Sequence, residues 1–435
     1  LKKYEQVPDV VQAVRELAPV TNMRVTASRE FIAEATFEPV DRIDPVTDNV
    51  LGTTVHGTSH LVGTMRARPA ASSDEVLLQA HLQGDADTEG RGYNGPVRAD
   101  VVGQATVDAT GEITFGPEGF RVGSTTAHVS ATGRPVCMWS TCKSRIANGL
   151  VTCVARRRAQ KTQDLGDCIA SRHAEQRLEQ QLDEELRQRV GQLQDSYLSE
   201  FRNPLLRHDA FPRVFSADSH TDHARVVMLV ANATQTGAVA PAPESGIEAA
   251  LHAQIHETAF NNMAATMLAG QSISEVELQG FVAQAFGQEA QQAQVSKRDM
   301  LEIVFSETRP LSFLFDDSVI TVKIRGDRFV RSRTRYPAMN MIVRYQIEQS
   351  GASVTAHRIG EPEVVPKDFE VTGRRRLSAR EIGARRLIVA MLQRELAESY
   401  ELGNIALPDQ FRGELTVTEL IANDGWLDIG AEPTQ

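Results

Sequence analysis

The chain has 435 residues, enough for two hydrophobic cores, and its 41% hydrophobic and 24% charged residues are those of an ordinary folded protein. A net charge of −11 with a pI near 5.6 excludes the broadly basic surface that nucleic-acid binding requires. No run of 18 apolar residues is present to cross a bilayer as a helix, so the chain is not expected to be transmembrane.

In chain order, the first residue is Leu1 rather than methionine, which suggests upstream removal by handling or by a signal peptidase and makes export the expectation. Ser28, Arg29, Glu30 and Phe31 mark a strand-to-helix junction. Val76, Leu78, Ala80 and Leu82 alternate with Leu77, Gln79 and His81 as a β-strand. Turn signals follow at Asn94-Gly95-Pro96, Thr110-Gly111 and Gly116-Pro117, so the strands are sequential and antiparallel. A long amphipathic helix comes next, its stripe formed by Leu178, Leu182, Leu186, Val190, Leu193 and Tyr197.

The segment 238–246, with Pro241 and Pro243, reads as a linker. Beyond it a helix is predicted from about Glu248 to Ala269, with Leu251, Ile255, Ala259, Met263 and Met267 on one face and Gly270 as its stop. A polar stretch at 288–297 reads as a loop, and Val319, Thr321 and Lys323 alternate with Ile320, Val322 and Ile324 as a strand, with a turn at Ser350-Gly351. A final helix is predicted from the N-cap Ser378, with Glu381 three residues on, through Ile382, Leu387, Ile388, Met391, Leu392 and Leu396.

These elements repeat. Gly84-Asp85 after its strand matches Gly326-Asp327, an offset of 242; Arg68-Pro69 matches Arg309-Pro310 at 241, and Tyr93 matches Tyr336 at 243. Glu30 matches Glu257 at 227, Asp195-Ser196-Tyr197 matches Glu398-Ser399-Tyr400 at 203, and Leu229 to Asn232 match Leu420 to Asn423 at 191. The fold expected is therefore α+β, a duplicated unit of twisted antiparallel sheet packed on long amphipathic helices, with copies at 1–237 and 247–435. The fall from 242 to 191 places about fifty extra residues in the first copy, around 135–170. All four cysteines, Cys137, Cys142, Cys153 and Cys168, fall there and are disulfide candidates; reduced thiols and a four-cysteine zinc site are the alternatives, the last lacking C-x-x-C pairs.

No phosphate loop, dinucleotide fingerprint, nucleophile elbow or zinc-protease helix is present. His252, His256 and Glu257 would share a helix face and could meet at a metal, but Leu251 and Ile255 mark that face for packing. His220 and His223 with Asp218 and Asp222 read as a polar loop or strand edge, and Asp316-Asp317, like Asp74, as turn chemistry. Tyr93 and Tyr336, and Asn232 and Asn423, recur in both copies and so read as structural. The arginine runs at 156–158 and 374–376 are candidates for anionic lipid or polymer, with solvated helix starts as the plain alternative. Catalytic residues, metals and cofactors are expected to be none.

The order of elements, twice over, resembles the tubular lipid-binding superfamily; the local echo is Glu257 to Ala269, with Phe260, Asn261 and Asn262. The resemblance implies a twisted sheet wrapped on long helices with acyl chains held in the groove between them. The turn Gly92 to Pro96 is also similar to one in bacterial exported proteins, which implies the periplasm or cell envelope. A non-enzymatic envelope protein that binds lipid or another amphiphile is the first expectation; a structural or assembly protein presenting sheet surfaces to envelope partners is the second. An enzyme using the histidines or aspartates is the third. Because the second copy is shorter and more apolar, its helix residues Ile382, Leu387, Ile388, Met391, Leu392 and Leu396, with Ile255 and Met263, are the predicted ligand contacts.

Overall fold

The structure is a computed structural model that describes residues 20–278, 280, 300–351, 353–367, 376–406 and 414–434. It is α+β, built on three antiparallel sheets. Strand β1 (Met23–Ser28) leads into helix α1 (Arg29–Ala35), the junction set by Ser28, whose hydroxyl accepts from the Phe31 N–H. A five-stranded meander follows: β2 (Glu38–Val50), β3 (Thr53–Ala70), β4 (Val76–Asn94), β5 (Val97–Gly116) and β6 (Gly119–Ser140). Helices α2 (Arg145–Lys161) and α3 (Gln163–Ser196) lie against it, and the hairpin of β7 (Val214–Ser219) and β8 (His223–Leu229) closes the unit.

The second unit repeats this plan with shorter parts. Strand β9 (Leu251–His256) leads into α4 (Glu257–Leu268), and a second sheet contains β10 (Ser272–Ser274), β11 (Leu301–Phe305), β12 (Leu311–Asp316), β13 (Val319–Arg331), β14 (Thr334–Tyr336), β15 (Met339–Ser350), β16 (Ser353–Arg358) and β17 (Glu363–Pro366). Helix α5 (Ala379–Glu395) follows, with the capping box of Ser378 and Glu381 formed as its sequence implies. After β18 (Ser399–Leu402), which joins the second sheet, come β19 (Asn404–Ala406), β20 (Glu414–Asn423) and β21 (Trp426–Pro433).

The third sheet unites the units. Its order, β19-β20-β21-β9-β1-β8-β7, reads symmetrically about the β9–β1 pair, with each unit's terminal hairpin on its own side. Asn22 sits fully buried beside this seam with its side chain saturated: Nδ2 donates to Val230 O and Thr258 Oγ1, and Oδ1 accepts from Val230 N.

This symmetry revises three of the repeat matches. Ser28 and His256 are the equivalent N-caps, which gives 228 for that junction rather than 227. His223 pairs with Ser28 as Trp426 pairs with His256, so the terminal hairpins correspond at 203; the match of Leu229 with Leu420 set the second strand of one hairpin against the first of the other. The excess in the first unit is the difference between 242 and 203, or 39 residues. Pro69 pairs with Leu78 near the tip of its hairpin, whereas Pro310 lies beside Arg325 before β12 begins, so these two prolines are not equivalent.

Other readings also change. Residues 251–256 form a strand rather than the first turns of a helix, because they are paired on both sides, by β1 and β21. Thr110-Gly111 is no turn; it lies inside β5 at a bulge, where a Cβ on Gly111 would stand 2.2 Å from Leu186 Cδ1 of α3. Asp317 and Ser318 do form a turn, both at positive φ. The four cysteines are free thiols, not disulfides: Cys137 lies in β6 three residues before its end, Cys142 follows the strand, and Cys153 and Cys168 stand on different helices. The stretch 288–297 lies outside the described residues, as do Arg374 and Arg375.

Helix α3 is what closes the first sheet. Asp167, Ser171, Glu175 and Glu179 accept from the backbone N–H groups of Gly133, Ala131, Val129 and Ala127, at 2.9, 2.9, 3.2 and 3.2 Å. A four-residue helical step rises about 6.0 Å and a two-residue strand step about 6.6–6.8 Å, so one row of acceptors keeps pace with the free edge of β6. A second row faces β2, the other edge: His173 and Arg177 meet Asp48, Gln181 and Glu185 meet Arg42, and Arg189 meets Glu38. Between them Leu178, Leu182, Leu186 and Val190 are buried, the first three against Leu61, Met65, Leu82 and Val129 of the sheet. Sheet and helix together form a closed tube.

Replacing Glu175 and Glu179 by alanine is expected to lower stability by about 1–3 kcal/mol through two unsatisfied edge donors. Urea unfolding measures the loss, and hydrogen exchange should be faster at Val129 and Ala127 than at amides inside the sheet.

Candidate functional site

The apolar row of α3 changes character along its length. Stepping back from Leu178 by fours it reads Ala174, Ala170, Gly166, so large side chains that fill the tube give way to small ones that do not. The facing strands do the same, with Ala99, Val101, Gly103 and Ala105 on β5 and Ala131 and Gly133 on β6. Cross-strand glycine pairs help the sheet curl around this space: a Cβ on Gly57, opposite Gly90, would lie 2.0 Å from Glu89 O, and one on Gly63, opposite Gly84, 2.3 Å from Gln83 O. The space left is a cavity of about 1020 Å³ between the five-stranded sheet, α2 and the first half of α3.

Its charged groups are distributed unevenly. Asp48 on the β2 side is taken by His173 at 2.7 Å and Arg177 at 3.5 Å, and Asp44 by Arg42 at 3.0 Å. Asp167 is occupied with the Gly133 N–H. Arg134, Arg156 and Arg158 also line the cavity and make no ion pair among the described residues. Leu150 and Val154 of α2 line it as well, yet are 63% and 65% exposed, so the mouth opens there. Such a space can shelter an apolar chain and hold an anionic group at the opening; it falls at the upper end of the roughly 300–1,000 Å³ of ligand pockets.

The predicted ligand contacts lie elsewhere. Ile388, Met391 and Leu392 are buried with Phe329, Met339 and Met341 in the packed core of the second unit, with Leu387 and Leu396 at its fringe, and Ile382 is exposed. Ile255 and Met263 belong to another cluster, with Met228, Val230 and Ala259. None of the eight lines the cavity. A helical apolar stripe looks the same in sequence whether a core or a ligand covers it; the residues missed are the small ones, and the run Gly166, Ala170, Ala174 before Leu178 was the available signal.

The histidine candidates separate too. His252 meets Asp428 at 3.1 Å, while His256 is the N-cap of α4, its Nδ1 accepting from the Thr258 N–H and its ring edge-on to Trp426. Asp218, His220 and His223 do come together at the β7–β8 turn, their ligand atoms within 4.8 Å of one another, but Arg225 already donates to both oxygens of Asp218. A cation there would compete with that guanidinium.

The sequence matches no family model and no curated protein. Among solved structures it is similar to a crystal structure of lipopolysaccharide binding protein, at 10% identity and a TM-score of 0.31, over 95% of this chain and 99% of that one. A superposition that loose is not evidence of a shared ligand. No helix of the described residues is long and apolar enough to cross a membrane, which leaves strands unaddressed.

Burial holds the His256 imidazole below its ordinary pKa of 6.5, and His81 on β4 is lowered by burial first and Arg68 second. A group depressed in the fold contributes fully above its unfolded pKa and loses that contribution as pH falls through the window below it. Between about pH 7 and about pH 5 the wild type should lose more stability than His256→Asn, whose amide keeps the cap without titrating. Urea midpoints at the two pH values test this.

Proposed function

We propose that the chain is a non-enzymatic binding protein that takes up a lipid or another amphiphile in the cavity of its first unit. The observation that supports this is the taper of α3, from Leu178 through Ala174 and Ala170 to Gly166, which leaves an apolar space open at one end where large side chains would have filled it. Each methylene moved from water into such a space is favourable by about 0.8 kcal/mol, so a hydrocarbon chain supplies the affinity and the polar end stays at the mouth. Arg134, Arg156 and Arg158 there suit an anionic headgroup.

The tubular lipid-binding reading belongs with this proposal, since a twisted sheet wrapped on a long helix with an apolar groove between is the layout of residues 38–196. So does the envelope location, which cell fractionation with an antibody to the chain would test. The alternative of sheet surfaces offered to partners has less support: β2, an edge strand of the first sheet, is met by α3 and carries Pro39 and Pro45, which donate no hydrogen bond to an added strand.

Titration with a fluorescent fatty acid should show saturable binding to the wild type. Ala174→Phe, which puts a ring into the cavity, should weaken it at least about tenfold without unfolding the chain. Equal affinity in the two proteins, or no binding to either, overturns the reading, and mass spectrometry of the natively extracted protein should identify co-purified lipid.

A further inference from the structure

Among the described residues, helix α2 is the one long helix of the first unit with no buried residue. Its inner side, Val151, Ala155 and Ala159, rests over the cavity, but beside that row runs a second apolar row facing solvent. Ile146, Leu150 and Val154, at four-residue spacing, are 78%, 63% and 65% exposed, and Val136 at the end of β6 is 66% exposed. Three consecutive turns of a helix therefore present large aliphatic groups to water, and no described residue covers them.

The charge around this row is equally distinctive. Residues 134–163 contain seven basic residues, Arg134, Lys143, Arg145, Arg156, Arg157, Arg158 and Lys161, and no acidic one. Taking these seven positive charges from the net of −11 leaves −18 on the rest of the chain, so this tip is a basic island on an acidic protein. None of the seven forms an ion pair among the described residues. Arg158 continues the apolar row by one more turn, and Arg157 lies beside it, the pattern of a helix that rests in the plane of a lipid interface.

We propose that α2 and the adjoining end of β6 dock on an anionic lipid bilayer, with Ile146, Leu150 and Val154 entering the headgroup region and the basic side chains meeting lipid phosphates. A second copy of the chain fits less well, since an isologous contact through this row would set one cluster of arginines against another. Docking would place the mouth of the cavity, which Leu150 and Val154 share, against the membrane. It does not depend on the cavity holding a ligand.

Vesicle flotation tests it, with phosphatidylcholine alone and with phosphatidylcholine containing phosphatidylglycerol. The wild type should float with the anionic vesicles at least about tenfold better than with the neutral ones, and the difference should shrink as salt is added. Ile146→Ser, and separately the pair Arg145→Glu and Arg157→Glu, should each abolish flotation. These residues are exposed and do not line the cavity, so circular dichroism and fatty-acid binding should be unchanged. Ala174→Phe should float like the wild type, which separates failure of docking from failure of the cavity reading. Equal flotation with both vesicles, flotation with neither, or a dimer in light scattering that Ile146→Ser converts to monomer would each overturn the proposal.

Discussion

The first unit depends on a match of lengths between a helix and a strand. An open sheet of five long strands has two edges, and each edge carries backbone donors and acceptors that need partners. Helix α3 meets one edge with carboxylates and a hydroxyl in step with the N–H groups of β6, and the other with side-chain pairs to β2. It does in one element what a sixth and seventh strand would do in a barrel. The interior is then free to be filled or left open according to what the third row of the helix carries.

That freedom is what separates the two units. Both pack a helix on a sheet, but in the second the space under α5 is taken by Phe329, Met339 and Met341, none of them exposed to solvent. In the first, the same kind of space is filled only from Leu178 onward. One unit of the repeated fold is thus solid and the other hollow, and the hollow one also bears the exposed, basic helix. The seam between β1 and β9, locked beside buried Asn22, joins them in one sheet.

Much of this was legible in the sequence. Alternation found the strands around 76–82 and 319–324, and the i, i+4 rows and the capping box at Ser378 found α3 and α5, because burial on one face writes its period into the chain. The doubled layout was legible as well, though individual matches slipped wherever a short motif recurred by chance, as with Arg68-Pro69. Strand β9 was mistaken for helix since Leu251 and Ile255 sit four apart, in step with Ala259 of α4, while the backbone of 251–256 is paired on two flanks. The cavity was overlooked for a different reason: hydrophobic content marks where apolar side chains are abundant, whereas a cavity arises where they are small. The role of the α3 glutamates was not legible, because acceptors for a strand edge and acceptors for water are the same residue types.

The position of β1 bears on how the chain is made. It lies near the middle of the seven-stranded sheet, flanked by β8 and β9, yet it is among the first described segments to be synthesised. One flank must wait for about 200 residues and the other for about 230 before any hydrogen bond can form. The meander of β2 to β6 and its helix can close by themselves on the ribosome, while β1 stays unpaired until β8 emerges at the end of the first unit and keeps one open flank until β9 follows. The joint that holds the finished molecule together thus cannot form until more than half of the chain has been made, and that interval is when a chaperone would have most to do.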